Sequence, residues 1–456
     1  MKTPFFTRTH TLFAGLLFFG FAAFGQQAPI QFFRPYDQNG INVFETTKDD
    51  TVAYDGFKFR IGASFKQQFQ NLKHENAVTA LNTPTSLVPI GGGFNLAMAN
   101  LNFDVQLADG VRVNLVSYMS SRHHPEFWVK GGFFQIDKVS FLNSEWMNKL
   151  WKNLTLRVGH FEVNYGDQHF RRSDGGNGLY NPFVENLIMD GFTTEIGGEL
   201  YWQKNGVIAM VAMTDGEIQG NVTRPADRSP SFYTKLGYDK QITDDLRLRL
   251  TGSLYTKSSS IRNTLFAGDR TGSHYYLVME NNSATVAANF TSGRFNPNVT
   301  DNVQAIMINP FVKYRGLEVF GTYEAVQGKN AVENGEVQPA SPTATQLVSL
   351  GNRQYNQLAV DAIYRFANDK FYVGARYNTV NGPFLTGQVG SGATPNQGTR
   401  TDVQVNRTAF AAGWFLTKSV MFKFEYVTQE YKDFPTGTIF EGGKFNGYVL
   451  EGIIGF

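Results

Sequence analysis

Side chains that could do chemistry are concentrated in a long irregular connection near residues 164–191, flanked by two segments of alternating polarity. The charged members of this connection include His169, Arg171, Arg172, Asp174 and Glu185. Three glycines come directly after Asp174, at positions 175, 176 and 178. A glycine-bearing connection of this length is usually functional. The histidine could form a hydrolytic triad with Ser173 and the neighbouring aspartate, but the chain has no Gly-x-Ser-x-Gly or other nucleophile motif. The mixed charges therefore favour an electrostatic role over nucleophilic catalysis.

The first residues predict export. Two bases precede an apolar run at residues 12–24, and small residues occupy the −3 and −1 positions before Gln26. This pattern is typical of a secretory signal peptide, here residues 1–25. The run is too short for a stable transmembrane helix, although a retained N-terminal anchor is the alternative.

Charge and cysteine content exclude several classes of function. Removing residues 1–25 removes two bases and no acid, so the 41 Lys and Arg fall to 39 and equal the 39 Asp and Glu. Nucleic-acid binding then has no electrostatic support. Without cysteine there is no disulfide and no thiolate metal site. The adjacent pair His123 and His124 is a poor metal site because neighbouring strand residues point to opposite faces, so we expect no metal and no cofactor.

Alternation of apolar and polar residues recurs to the C-terminus and predicts an all-β chain. Phe57, Phe59 and Ile61 lie in the first of about sixteen such segments, which have no helical layer to cover them. Short turns alternate with longer connections, which is typical of a transmembrane antiparallel up-and-down β-barrel. A hairpin of residues 274–279 and 285–290 would raise the count to about eighteen. Residues 26–53 are interpreted as a periplasmic lead-in and residues 54–456 as the barrel.

If the apolar faces meet lipid, the alternate side chains line a lumen. The charged residues assigned to the lumen include Lys58, Arg60, Lys66, Arg112, Glu195, Glu199, Arg247, Arg249, Arg376 and Glu425. An unpaired buried charge costs several kcal/mol, so this set predicts a water-filled interior.

The connection 164–191 is the third of the long connections, and we expect it to fold into the lumen and narrow it. The alternative is an extracellular surface loop, whose charges would pair and contribute little. The apolar residues change parity between Val158 and Val163. This change predicts a β-bulge near Gly159 and His160, which would redirect the strand into the connection.

The last predicted strand carries an assembly signal. Tyr448, Ile454 and Phe456 share one face of it, and the chain stops on the aromatic residue. This ending resembles the C-terminal signature by which the outer-membrane assembly machinery recognises barrel proteins. We therefore expect that machinery as a partner.

Along nearly its whole length the chain resembles the porins of Bacteroidetes-type outer membranes and, more distantly, the phosphate-selective porin O/P family. The stretches VGHFEVNYGDQHFRRSDGGNGLYNPF and DGFTTEIGGELYW are the most similar. The resemblance implies a sixteen-stranded homotrimer with an inward third loop, in contact with lipid and lipopolysaccharide in the outer membrane of a Gram-negative bacterium. Phosphate selectivity does not carry over, because the family's excess of pore bases is not visible here.

Taken together, these features predict a porin that forms a water-filled diffusion channel for small hydrophilic solutes or ions, with no enzymatic activity. A structural or adhesive barrel and an outer-membrane hydrolase are the alternatives.

Overall fold

The computed structural model describes residues 27–456 apart from 79–84, 123–125, 217–228, 261, 270, 286–288, 337–346 and 390–395. The predicted signal peptide lies outside the described residues. Each strand pairs antiparallel with its sequence neighbours, and β1 pairs with β16, so the sheet closes into a barrel of 16 strands. The predicted all-β antiparallel up-and-down barrel is confirmed.

The strands are β1 (Lys58–Glu75), β2 (Gly93–Ala108), β3 (Val111–Ser120), β4 (Trp128–Ile136), β5 (Leu154–Glu162), β6 (Thr194–Lys204), β7 (Val207–Thr214), β8 (Ser231–Gln241), β9 (Leu246–Lys257), β10 (Asp301–Tyr314), β11 (Leu317–Lys329), β12 (Arg353–Phe366), β13 (Phe371–Thr386), β14 (Thr399–Thr417), β15 (Val420–Lys432) and β16 (Lys444–Gly455). The alternative of eighteen strands is wrong. Residues 274–279 form bends and turns, and none of the described residues in 285–290 lies in a strand.

Tight turns join the strands at one end of the barrel, the short-turn end. Asn205 and Gly206 have φ of 53° and 87°, the left-handed conformation that a two-residue hairpin turn requires. The connection between β4 and β5 holds the single α-helix of the described residues, α1 (Glu145–Trp151), where the Ser144 side chain accepts a hydrogen bond from the Met147 amide. No helix in the described part of the chain is long and apolar enough to cross a membrane.

The alternation places apolar side chains on the outer face of the barrel and polar ones inside. Strand β12 shows the pattern throughout: Gln357 and Asp361 are buried, whereas Leu358, Val360 and Tyr364 are exposed. The outer face therefore has the character of a surface that contacts lipid.

The predicted bulge near Gly159 and His160 is wrong. Strand β5 stays in continuous register with β6 from Leu154 to Glu162. The parity of the apolar residues changes because the inner face itself becomes apolar at Phe161, which is buried, as the strand passes a packed part of the interior. The bulge lies instead in β4, where Lys130 is left without a partner residue in β3 between the pairs Val116–Gly131 and Ser117–Val129.

Candidate functional site

Loop 3, the connection of residues 163–193 between β5 and β6, crosses the interior of the barrel. Near its start the Asp167 amide donates to the Asn309 side chain of β10 at 2.7 Å. Near its end the Ile188 amide donates to the Asn378 side chain of β13, also at 2.7 Å. Because inner-facing side chains of several strands hold its main chain, loop 3 is fixed across the barrel.

The glycines of loop 3 allow its tip to lie directly on strands β1 and β2 of the wall. A Cβ atom at Gly176 would lie 2.3 Å from the carbonyl oxygen of Ser64 and 2.8 Å from the Cα of Ala99. Asn100 of β2 donates to the Asp174 carbonyl at 2.7 Å. The glycine run is thus explained by close backbone contact.

Loop 5, the connection of residues 258–300 between β9 and β10, packs on loop 3 from the long-connection end. Arg294 contacts Glu185 at 2.7 Å, and the Ser273 hydroxyl donates to the same carboxylate at 2.6 Å. Burial alone would raise the pKa of Glu185, but Arg294 and other nearby cations hold it well below its usual range. Glu185 is therefore an ionised anchor between the two loops.

Most charges on the inner face are neutralised by close partners and do not face water. These buried pairs include Lys66–Glu451 (3.3 Å), Arg249–Asp167 (2.7 Å), Arg376–Asp361 (2.6 Å) and Lys423–Glu451 (3.2 Å). The expectation that so many inner charges require a water-filled interior is therefore wrong for this set. Paired and hydrogen-bonded charges can be buried, and removing one partner is what costs energy.

The N-terminal segment, residues 27–57, lies across the short-turn end. The Gln38 amide donates to the Lys418 carbonyl in the turn between β14 and β15 at 2.8 Å. The Lys48 ammonium donates to the Asp137 carbonyl, after β4, at 2.7 Å. These anchors lie at widely separated points of the ring, so the segment that the sequence suggested as a lead-in spans the mouth of the barrel.

A cavity of about 260 Å³ remains between loop 3, the N-terminal segment and the inner wall near β2–β6. We call it the eccentric cavity because loop 3 occupies the other side of the interior. Five bases and three acids line it: Arg34, Arg112, Lys130, Arg157 and Arg172, and Glu45, Glu162 and Asp174. Aromatic rings, including Phe133 and Tyr180, also line it.

Three of the predicted constriction residues line this cavity, namely His169, Arg172 and Asp174. Arg172 forms an ion pair with Asp190 at 2.6 Å, and Lys130 contacts the Asp174 carboxylate. Burial raises the pKa of Asp174, and this ammonium opposes the rise.

His169 is a neutral hydrogen-bonding group. Burial and then the nearby Lys235 ammonium hold its pKa well below the usual range, and its Nε2 lies 2.8 Å from Asn164 Oδ1. The Ser173 hydroxyl donates to the Val184 carbonyl at 3.2 Å. The triad imagined from the sequence is therefore not assembled in these described residues.

The remaining two predicted constriction residues lie elsewhere. Arg171 contacts Asn42 of the N-terminal segment and lies 3.6 Å from Glu318 of β11. Glu185 contacts Arg294 and Ser273 of loop 5. The two adjacent arginines thus leave the loop in different directions, and Arg172 alone of that pair lines the cavity.

The predicted lumen-facing residues all lie on the inner face. Lys66, Arg112, Glu195, Glu199, Arg249, Arg376 and Glu425 are buried, and Lys58, Arg60 and Arg247 are partly buried. Of this set, Arg112 lines the eccentric cavity. Among the predicted assembly residues, Ile454 and Phe456 are exposed on the outer face, and Tyr448 stacks on Phe69 and Phe424.

Sequence reasoning missed Arg34, Lys130, Gln135 and Glu162 as cavity residues. Arg34 lies in a segment without periodicity, and its guanidinium stacks on Tyr180 of loop 3 at 3.8 Å. Lys130 reaches the cavity through a bulge, which the alternation of residue types does not reveal. Gln135 carried a usable signal, because it lies in register between Arg112 and Arg157 on neighbouring strands.

Neither a protein-family model nor a curated protein matches the chain. The similar solved structures include OmpT, an outer membrane protein of Vibrio cholerae, with 9% identity, coverage of 89% of this chain and 99% of that one, and a TM-score of 0.46. A mutant of the Rh. blastica porin has 8% identity, coverage of 87% and 100%, and a TM-score of 0.44. Pseudomonas aeruginosa OprD has 10% identity, coverage of 92% and 98%, and a TM-score of 0.39.

Proposed function

We propose that the barrel is an outer-membrane channel in which small hydrophilic solutes or ions pass through the eccentric cavity. The observation that supports this is the cavity itself, which lies between loop 3 and the wall and has charged groups along it. Its selectivity would come from the five bases and three acids that line it. Loop 3 then narrows the route to one side of the barrel.

The outer surface fits a membrane setting. Large apolar side chains such as Leu250, Val360 and Phe424 are exposed on it, and Trp146 of α1 is exposed at the short-turn end, where an aromatic ring suits the membrane interface. We place the protein in the outer membrane of a Gram-negative bacterium, among lipid and lipopolysaccharide. We also propose that the barrel-assembly machinery inserts the protein and that it assembles as a homotrimer.

Thiol labelling can test the route, since the chain has no cysteine of its own. Thr46→Cys and Thr194→Cys place single thiols in the cavity lining, the first from the N-terminal segment and the second from β6. In planar bilayers, each variant should lose most of its conductance when a bulky thiol reagent is added. Ser283→Cys, exposed on loop 5, is the control and should conduct unchanged after the same treatment.

A non-conducting structural or adhesive barrel is the second candidate. It is favoured by the N-terminal segment across the short-turn end and by the many contacts of loop 3 with the far wall. A wild-type protein that gives no current in bilayers, although correctly folded, would support this second function and reject the channel. Current that persists in both labelled variants would reject the eccentric cavity as the route.

A further inference from the structure

We infer that Arg112, Gln135 and Arg157 form a binding station for small organic anions that carry a carboxylate next to an apolar group. The three residues lie side by side on β3, β4 and β5 and line the eccentric cavity. The inference rests on the proposed channel, whose solute class it names.

The two guanidinium groups are held close together by one acceptor. Gln135 Oε1 accepts from Arg112 Nη2 at 3.0 Å and from Arg157 Nη2 at 3.3 Å. Two like charges that share a neutral amide oxygen repel one another, so a bound anion between or beside them relieves the repulsion.

Among the described residues, each guanidinium of the pair has one carboxylate within 4 Å, and the contact at Arg112 is long. Arg157 Nη1 lies 3.2 Å from Glu199. Arg112 Nη1 lies 3.8 Å from Asp104, whose carboxylate also accepts from Tyr36 and Asn114 at 2.8 Å each.

Donor capacity remains at both arginines. Arg112 is 7% exposed, and its Nε has no hydrogen-bond partner within the described ranges. The Arg157 side chain is 23% exposed. A buried guanidinium with an unused donor beside an accessible one is suited to a carboxylate, which accepts two parallel hydrogen bonds.

Aromatic rings surround the station. Both guanidiniums lie over Phe133, at 4.6 Å for Arg157 and 5.6 Å for Arg112. Phe33 and Tyr36 of the N-terminal segment, in edge contact at 5.3 Å, also line the cavity. An inorganic anion would use the charges alone, whereas an organic acid would also remove its apolar group from water.

Calorimetric titration of the full-length protein in detergent separates these contributions. The probes are benzoate, acetate, benzamide and inorganic phosphate, which offer charge with a ring, charge alone, a ring alone and an inorganic anion. Benzoate should bind at least about tenfold more tightly than each of the others, since about 1.4 kcal/mol corresponds to a factor of ten. The Arg112→Gln and Arg157→Gln variants should each weaken benzoate binding by roughly tenfold or more, the scale of a lost hydrogen bond to a charged group.

Lys418→Gln is the matched control. Its ammonium is 69% exposed at the short-turn end, so the substitution removes one positive charge away from the station and should leave benzoate binding within about twofold. Equal binding of benzoate by the arginine variants and the wild type would overturn the station, as would phosphate binding as tight as that of benzoate. Calorimetry does not require current, so a silent protein that binds benzoate through these arginines would reject the channel and keep the station.

Discussion

Arg249 is the residue whose loss should most clearly detach loop 3 and the N-terminal segment from the barrel wall. Its guanidinium holds two separate inner elements: it contacts Asp167 of loop 3 at 2.7 Å and Glu45 of the N-terminal segment at 2.7 Å. Lys235 contacts the same carboxylates at 3.0 and 3.2 Å. In Arg249→Met, one ammonium faces two buried carboxylates, and a negative charge remains without a partner.

The size of the effect follows from this imbalance. Removing one partner of a buried ion pair costs about 3–5 kcal/mol, and 3 kcal/mol corresponds to a factor of roughly 150 in an equilibrium constant. The variant should lower this cost by exposing Glu45 and Asp167 to water. We therefore expect the N-terminal segment and the start of loop 3 to detach about a hundredfold more often than in the wild type.

Limited proteolysis of the folded barrel measures this detachment. Cleavage within residues 27–57 should accelerate in Arg249→Met, and current through the protein should become larger and noisier. Arg315→Met, in the turn between β10 and β11, is the control at the same end of the barrel. Its partner Asp245 lies in the turn between β8 and β9, and its side chain is 67% exposed, so its loss should cost no more than about 1 kcal/mol.

A second set of variants separates charge from packing. Combining Arg249→Met with Glu45→Gln leaves Lys235 paired with Asp167 alone, so the cluster is again balanced and most of the wild-type resistance to protease should return. Unchanged proteolysis and current in Arg249→Met would refute the role of the cluster. A double variant as labile as the single one would show that shape, and not charge, holds the two elements.

Two further predictions concern pH and the tip of loop 3. Burial alone would raise the pKa values of Glu45 and Asp167, but Arg249 and Lys235 hold both below their usual range. The two carboxylates therefore contribute their full stability above their pKa values in the unfolded chain, near about pH 4, and this contribution is lost as the pH falls below those values. Cleavage of the N-terminal segment by an acid-active protease should rise below about pH 4, with a smaller rise in Glu45→Gln. Gly176→Ala places a Cβ 2.3 Å from the Ser64 carbonyl and should lower the free energy of unfolding, measured by denaturant unfolding, by about 1–3 kcal/mol. The control is Gly252→Ala, whose Cβ meets nothing within 4 Å and which should cost less than about 1 kcal/mol. Equal losses in the two variants would show that contact with Ser64 does not position the loop tip.

The sequence by itself determined the barrel. Side chains alternate with a period of two along a strand, so the spacing of Phe57, Phe59 and Ile61 was enough to assign them to the apolar face of the first strand. Turn residues such as Asn205 marked strand ends through their tolerance of left-handed backbone. Strand number, order and facing are local properties repeated along the chain, and they could be predicted.

Only the tertiary structure decided what fills the barrel. Alternation placed Arg249 and Arg376 on the inner face, but it carried no information on whether water or a carboxylate would meet them. Asp167 and Glu45 are distant from Arg249 in sequence, and the adjacent Arg171 and Arg172 contact different carboxylates, Glu318 and Asp190. Pairing between inner elements depends on contacts across the barrel, and the local alternation of residue types carries no information on such contacts. For this reason the eccentric cavity, and the proximity of Arg112 and Arg157 within it, could be seen only in the folded chain.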